Sequence, residues 1–252
     1  MKAYKITDYL EQYFPLNLQL DWDKCGLQIG DKNQEVTKIL VALNADNESI
    51  DNAISNNCNM LITHHPFLLE PIENVDTNKA TGSFIKKAID NNIVVYSLHT
   101  CLDIGQNGIS MNDWLINCFD VKDVQCFDID NCGKMATLNT PLNGNEFIDV
   151  VKESLNVKNV KYSNNTNCKI SKIAVLGGSG ADYLEELNSK VDAFITGDTK
   201  HRHAKWAIDN GILLIDVNHH VEVIMENKVK DLLSKLDVEV MINDSKDYFN
   251  YK

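Results

Sequence analysis

The chain has 252 residues, 44% of them hydrophobic, so it is long enough to bury a sizeable core, and we expect two lobes. Its formal charge of −12 argues against binding to nucleic acid or to an anionic membrane surface. Seven cysteines without a C-x-x-C pair indicate reduced thiols. No apolar run resembles a signal peptide or reaches the roughly 18 residues of a membrane span, which predicts a soluble, cytoplasmic protein.

Strands and helices alternate along the chain, which predicts an α/β fold. In the first half, the predicted strands are 38–44, 59–65 and 92–100, and the predicted helices are 46–56, 79–92 and 108–119. In the second half, the predicted strands are 172–178, 191–198 and 212–219, and the predicted helices are 181–190, 200–210 and 221–236.

The two halves repeat the same order of elements, which favours an internal duplication. The alternative is that any two βαβαβ stretches align this well, because strand-helix alternation is common. With duplication, the predicted domains are a first lobe at 1–120, a connecting segment at 121–170 and a second lobe at 171–252. The connecting segment holds a strand and a helix but no large inserted domain.

Histidines and carboxylates gather at the predicted carboxyl ends of the strands, where ligands bind in open α/β sheets. They are His64 and His65 in ITHHP, His99 and Asp103 in HTCLD, and His219, His220 and Glu222 in NHHVE. Pro66 turns the chain directly after the first pair, which favours metal ligation over a simple strand cap. The alternatives are Asp103 as a helix N-cap and Glu222 in the first turn of a helix capped by Asn218. His220 is the weaker candidate of its pair.

The types of donor select a class of metal. Imidazoles and carboxylates without thiolates suit zinc, iron, manganese or cobalt rather than calcium. Five or six such groups exceed the three protein ligands that one catalytic ion typically takes, so they predict two ions that share a carboxylate. His201 and His203 lie on a predicted helix and are expected at the surface. The sequence GGSG at 177–180 fits a phosphate cradle and a tight turn equally well.

Ordered motifs along the whole chain resemble those of one family. They are DWDKCGLQIG at 21–30, ITHHP, HTCLD with NGISMND, GGSG, ITGDTKHRHA and LIDVNHH. The set is similar to the Nif-three-like dinuclear-metal family, whose members are named GTP cyclohydrolase I type 2 homologues. The resemblance implies two similar α/β lobes with mixed sheets flanked by helices. It also implies a ring-shaped homohexamer in which each chain holds two divalent metal ions, zinc, iron or manganese.

The resemblance further implies the metal ligands. Four of them match His64, His65, Asp103 and His219. Asp103 is the bridging carboxylate. The fifth does not match directly, because the family's G-H-x-x-x-E places the glutamate where this chain has Val223. Either Glu222 ligates from a helix that begins one residue out of step, or one metal position is weakened, and Glu226 is a further alternative. Asn44 also departs from the family, which often has aspartate after the first strand.

These features predict a metal-dependent hydrolase. By resemblance, metal-bound hydroxide attacks a nucleotide or a related small molecule, and in GTP the attack falls on C8 of the purine. His99 is the candidate acid-base residue, and Thr63 is a candidate source of a hydroxyl hydrogen bond. The alternative is a non-catalytic metal-binding ring protein that acts through protein interactions. The substrate stays open, since neither a fold nor a site resemblance fixes it.

Overall fold

The computed structural model describes residues 1–250, in which strands and helices alternate along most of the chain. The strands are β1 (Gly26–Ile29), β2 (Lys38–Ala42), β3 (Met60–Thr63), β4 (Val94–Ser97), β5 (Val121–Cys126), β6 (Lys134–Asn143), β7 (Lys161–Tyr162), β8 (Lys169–Val175), β9 (Ala193–Thr196), β10 (Leu213–Asp216) and β11 (Glu239–Ile242). The α-helices are α1 (Ala3–Leu10), α2 (Asn47–Ser55), α3 (Ala80–Asp90), α4 (Thr100–Ile104), α5 (Met111–Ile116), α6 (Gly144–Ser154), α7 (His201–Asp209) and α8 (Ile224–Leu233). Shorter 3₁₀ helices span Leu16–Leu18, Gly180–Leu187 and His219–Val223.

The chain folds into two compact units. The first contains Met1–Asn107 and Val223–Lys246, and the second contains Gly108–Glu222 and residues 247–250. These bounds differ from the domains predicted at 1–120, 121–170 and 171–252. The difference arises because β11 pairs with β2, which returns α8 and β11 to the first unit, while β6 pairs with β8 and ties the middle segment to the second.

The first unit is built on a sheet with the strand order β1-β4-β3-β2-β11. β11, β2, β3 and β4 run parallel, and β1 is antiparallel to β4 at the edge. Every residue of β3 and β4 is buried, as expected of a parallel sheet. Phe84 of α3 packs in a core with Leu40, Leu61 and Val95 of the strands. This core fixes the carboxyl ends of β2, β3 and β4, where the candidate ligands begin.

The second unit repeats the pattern around a sheet with the order β5-β6-β8-β9-β10-β7. β8, β9 and β10 are parallel, like β2, β3 and β4, and the remaining strands are antiparallel to their neighbours. Each unit thus carries three parallel strands in chain order with helical crossovers. The predicted α/β fold with mixed sheets flanked by helices is confirmed.

Two of the predicted helices contain 3₁₀ structure. The predicted helix at 181–190 is the 3₁₀ helix Gly180–Leu187, and the one at 221–236 becomes α-helical only from Ile224. None of the seven cysteines, which all lie within the described residues, forms a disulfide bond. None of the helices within residues 1–250 combines the length and the apolar character that crossing a bilayer requires.

Candidate metal centre

The His-His pair begins where β3 ends. The rings of His64 and His65 lie with their centroids 4.8 Å apart. His64 is fully buried, and its Nδ1 lies 2.8 Å from the carbonyl oxygen of Leu98. Because a carbonyl oxygen only accepts hydrogen bonds, Nδ1 carries the proton and Nε2 carries the lone pair that a metal ion needs.

Asn44 orients the second histidine of the pair. It lies just after β2, and its Oδ1 is 2.7 Å from Nδ1 of His65. With the amide oxygen as acceptor, His65 is protonated at Nδ1 and presents its lone pair at Nε2. Asn44 therefore orients a candidate ligand and is not itself a candidate. The family that the sequence resembles often has an aspartate at this position. The neutral amide of Asn44 increases the basicity of the His65 imidazole less than an aspartate would.

His99 is held by a buried carboxylate. Its Nδ1 lies 2.8 Å from Oδ1 of Asp23, which is only 2% exposed. Burial acts to raise the pKa of Asp23, but hydrogen bonds from His99 and Thr100 outweigh burial and hold that pKa well below its ordinary value. Asp23 is therefore ionised, and it fixes the ring of His99 with the Nδ1 proton directed at the carboxylate.

The first donor group consists of His64, His65, His99 and Asp103. One ring nitrogen from each of the three histidines lies within 4.8 Å of the other two. Asp103 belongs to α4, and its Oδ1 lies 3.7 Å from Nε2 of His64. Two donors that each lie about 2.1 Å from an ion are themselves roughly 3–4 Å apart. The donor types of this group and the distance between His64 and Asp103 therefore fit a divalent transition-metal ion.

The second donor group, in the second unit, is His219 with Glu222. Nε2 of His219 lies 3.0 Å from Oε2 of Glu222, and Nδ1 lies 2.7 Å from Oδ2 of Asp198. The hydrogen bond to Glu222, together with Asp198, raises the pKa of His219 to about 9. The carboxylates of Asp198 and Glu222 place negative charge on both sides of the His219 ring. A divalent cation could therefore replace the proton on Nε2 of His219.

The position of Glu222 follows from the helix that carries it. His219–Val223 is a 3₁₀ helix, in which side chains three residues apart lie on the same face. The family's spacing of four residues suits an α-helix, whereas the spacing of three from His219 to Glu222 suits this tighter helix. The 3₁₀ helix thus brings Glu222, one residue before the family's position, beside His219. Glu222 is 3% exposed beside His219, and Val223 is the N-cap of α8.

The GGSG sequence makes room for Glu222. Gly178 has a φ of +60°, and a β-carbon added there would lie 2.4 Å from Oε1 of Glu222. The backbone N–H of the preceding Gly177 donates to Oδ1 of Asn112 at 2.8 Å. A carboxylate against this turn disfavours a phosphate, so of the two alternatives for GGSG the structure supports the tight turn.

Glu226, the alternative fifth ligand, has a structural role in the first unit. It is 1% exposed, and its carboxylate accepts hydrogen bonds from the N–H of Leu43 at 3.0 Å and from the hydroxyl of Ser245. These contacts tie α8 to the segments that follow β2 and β11. Glu226 is therefore occupied as a link between elements, and Glu222 is the better candidate ligand.

Replacing Glu226 with glutamine should remove a pH-dependent part of the stability and leave metal content unchanged. Burial raises the pKa of Glu226, although hydrogen bonds from Ser245 and Leu43 oppose it. The folded state then binds this proton more tightly than the unfolded chain does. The contribution of Glu226 is therefore greatest below the unfolded pKa, about 4.3, and is lost as the pH rises through the folded pKa.

Urea unfolding of both proteins at a series of pH values from about 4 upward measures this effect. The wild type should lose more free energy of unfolding than the Glu226→Gln variant as the pH rises. A constant difference between the two proteins over this range would contradict the prediction.

Three other polar residues singled out in the sequence are not candidate metal ligands. His201 is exposed on α7, as predicted, but the prediction of a surface position for His203 was wrong. His203 is 7% exposed, and its Nε2 lies 3.2 Å from Asp182. Thr63 is buried and donates to the carbonyl oxygen of His65 at 2.9 Å, so it holds the backbone of the His-His pair.

Comparisons with known proteins agree over nearly the whole chain. A profile of the Duf34/NIF3 (NGG1p interacting factor 3) family matches residues 1–247. A Clostridium acetobutylicum protein named GTP cyclohydrolase 1 type 2 homolog is 34% identical, over 96% of this chain and 94% of that protein. A Clostridium perfringens protein of the same name is 31% identical over 100% of both. The solved structure of a Staphylococcus aureus protein gives a TM-score of 0.91 at 26% identity, covering 100% of this chain and 99% of that one.

Proposed function

Because the chain belongs to the DUF34/NIF3 family, we propose that it is a metal-dependent hydrolase of a nucleotide or a related small molecule. The proposed ligands of two divalent metal ions are His64, His65, Asp103, His219 and Glu222. One observation carries the proposal: His64, His65 and His219 each have Nδ1 fixed by an acceptor, which leaves Nε2 as the nitrogen that would bind a metal ion. Metal-binding histidines in proteins typically have such a partner.

The donor set suits zinc, iron, manganese or cobalt. When bound, such ions supply a nucleophile at neutral pH and stabilise negative charge that develops on the substrate. The residues of the chain position the reaction: Asn44 and Asp198 orient ligands, and His99 holds or moves a proton at Nε2. The carboxylate of Asp23 accepts the hydrogen bond from Nδ1 of His99 and so fixes the ring for that role.

The name of the relatives supports the substrate class. The two Clostridium proteins are named after GTP cyclohydrolase 1 type 2, so GTP is the first substrate to test, with release of formate from the purine as the signal. The chain has a formal charge of −12, so a nucleotide needs metal ions or lysines as local positive charge. We further propose a ring-shaped homohexamer, which light scattering measures, acting in the cytoplasm, where the cysteines stay reduced.

The experiment is a nucleotide panel incubated with protein loaded with zinc, iron or manganese, with formate and phosphate release measured. Turnover should depend on added metal and be abolished in His64→Ala and Asp103→Ala, while His201→Ala retains it. Full metal occupancy without turnover on any panel member would overturn the hydrolase. That outcome would favour the non-catalytic metal-binding protein.

A further inference from the structure

The second unit has a cavity next to one of the proposed ligands. Its volume is about 490 Å³, within the range of small-molecule sites in proteins. Asp198 lines the cavity, and the same carboxylate accepts the hydrogen bond from Nδ1 of His219. A molecule in the cavity therefore contacts the residue that orients His219.

The charges that line the cavity disfavour a phosphate group. Nζ of Lys161 lies 2.9 Å from Oδ2 of Asp216, and that oxygen also accepts a hydrogen bond from the N–H of Thr199 at 2.9 Å. The charge of Lys161 is thus balanced, and Asp198 adds a second negative charge to the lining. The cavity therefore suits an uncharged molecule, or the uncharged part of a larger one.

Aromatic and amide side chains complete the lining. Phe249 is 68% exposed, and its backbone N–H donates to Oδ1 of Asp247 at 2.9 Å, which holds its segment in place. Asn159 and Asn250 are exposed amides, each with a donor nitrogen and an acceptor oxygen. An aromatic face beside amides is the chemistry by which proteins stack a nucleobase and read its edge.

We propose that this cavity binds the purine base of the substrate. The base stacks on Phe249, its edge exchanges hydrogen bonds with Asn159 and Asn250, and the phosphates of a nucleotide lie away from Asp216. The assignment of a purine rests on the proposed function, because the relatives' name points to GTP. Binding in the cavity places the base against Asp198 and so beside His219.

The test uses guanosine, which has a base but no phosphate, and protein stripped of metal with a chelator. Calorimetry should show guanosine binding to the wild type, and Phe249→Ala should weaken it about 10-fold or more, the size of one stacking contact. Ile129→Ala is the matched control, since Ile129 is 83% exposed in the same unit but outside the cavity lining, and it should bind like the wild type. Inorganic triphosphate should not compete with guanosine.

The outcomes separate the cavity from the hydrolase. Guanosine binding that is equal in the wild type and Phe249→Ala, or that is absent from the wild type, would overturn the cavity proposal. Competition by inorganic triphosphate would also overturn it, because it would show a phosphate site. Guanosine binding that depends on Phe249 without turnover of any nucleotide would support the cavity while the hydrolase fails. Nucleotide turnover that is unchanged in Phe249→Ala would support the hydrolase while the cavity proposal fails.

Discussion

Replacing His64 with alanine should weaken metal binding by more than about 100-fold. Substituting a residue that only orients a ligand already costs roughly 10–100-fold in metal affinity, so removing a ligand costs more. His64 is fully buried, its ring is fixed by the carbonyl oxygen of Leu98, and Oδ1 of Asp103 lies 3.7 Å from its Nε2. No rearrangement of a surface side chain can replace a donor at such a buried position.

Metal content after dialysis against buffered metal, measured by plasma mass spectrometry, tests this prediction. His64→Gln serves beside His64→Ala, because glutamine preserves volume and separates the loss of a ligand from the opening of a cavity. His201→Ala is the control, since His201 is exposed on α7 and should leave metal content unchanged. Folded His64 variants with the metal content of the wild type would contradict the site.

The fold could be predicted where strands are buried on both faces. The predictions at 38–44, 59–65 and 92–100 correspond to β2, β3 and β4, because buried parallel strands give continuous apolar runs. β5 was not predicted, since only its first residue is even partly buried and its sequence carries no apolar run. The unpredicted β11 is likewise only partly buried, and it is defined by pairing with β2, about 200 residues away in sequence, which no local pattern reports.

The candidate ligands were easier to predict than their partners. His64, His65 and Asp103 follow predicted strands, so the rule for strand ends selects them. Asp23 lies 76 residues from His99, the histidine that it orients, and Asp198 lies 21 residues from His219. Such contacts depend on the tertiary fold. The sequence around a polar loop residue has no periodic pattern from which its distant partner could be predicted.

The helix register at Glu222 was open for a different reason. The sequence from His219 onward is compatible with both an α-helix and a 3₁₀ helix. A 3₁₀ turn aligns Glu222 directly with His219, whereas an α-helix brings both Glu222 and Val223 to the same face as His219. Only the structure, with His219–Val223 as a 3₁₀ helix, decides between them.

Replacing Gly178 with alanine should damage metal binding more than it damages the fold. The φ of +60° costs an alanine roughly 1–2 kcal/mol, and the new β-carbon would lie 2.4 Å from Oε1 of Glu222. That oxygen is at the end of a flexible side chain, so the carboxylate can rotate away from the methyl group. The rotation moves Glu222 from Nε2 of His219, and we expect about 10–100-fold weaker metal binding.

Gly211→Ala is the control that isolates the contact with Glu222. Gly211 has a φ of +74°, and a β-carbon there would meet nothing within 4 Å, so it suffers the same backbone strain without touching a ligand. Denaturant unfolding should therefore show similar losses of stability in the two variants, and calorimetric metal titration should show weaker binding only in Gly178→Ala. Equal metal affinity in both variants would mean that the carboxylate of Glu222, as placed against Gly178, is not a ligand. In that case His219 would be the remaining candidate ligand of the second unit. The three-residue spacing between His219 and Glu222 would then reflect the helix geometry and have no role in metal binding.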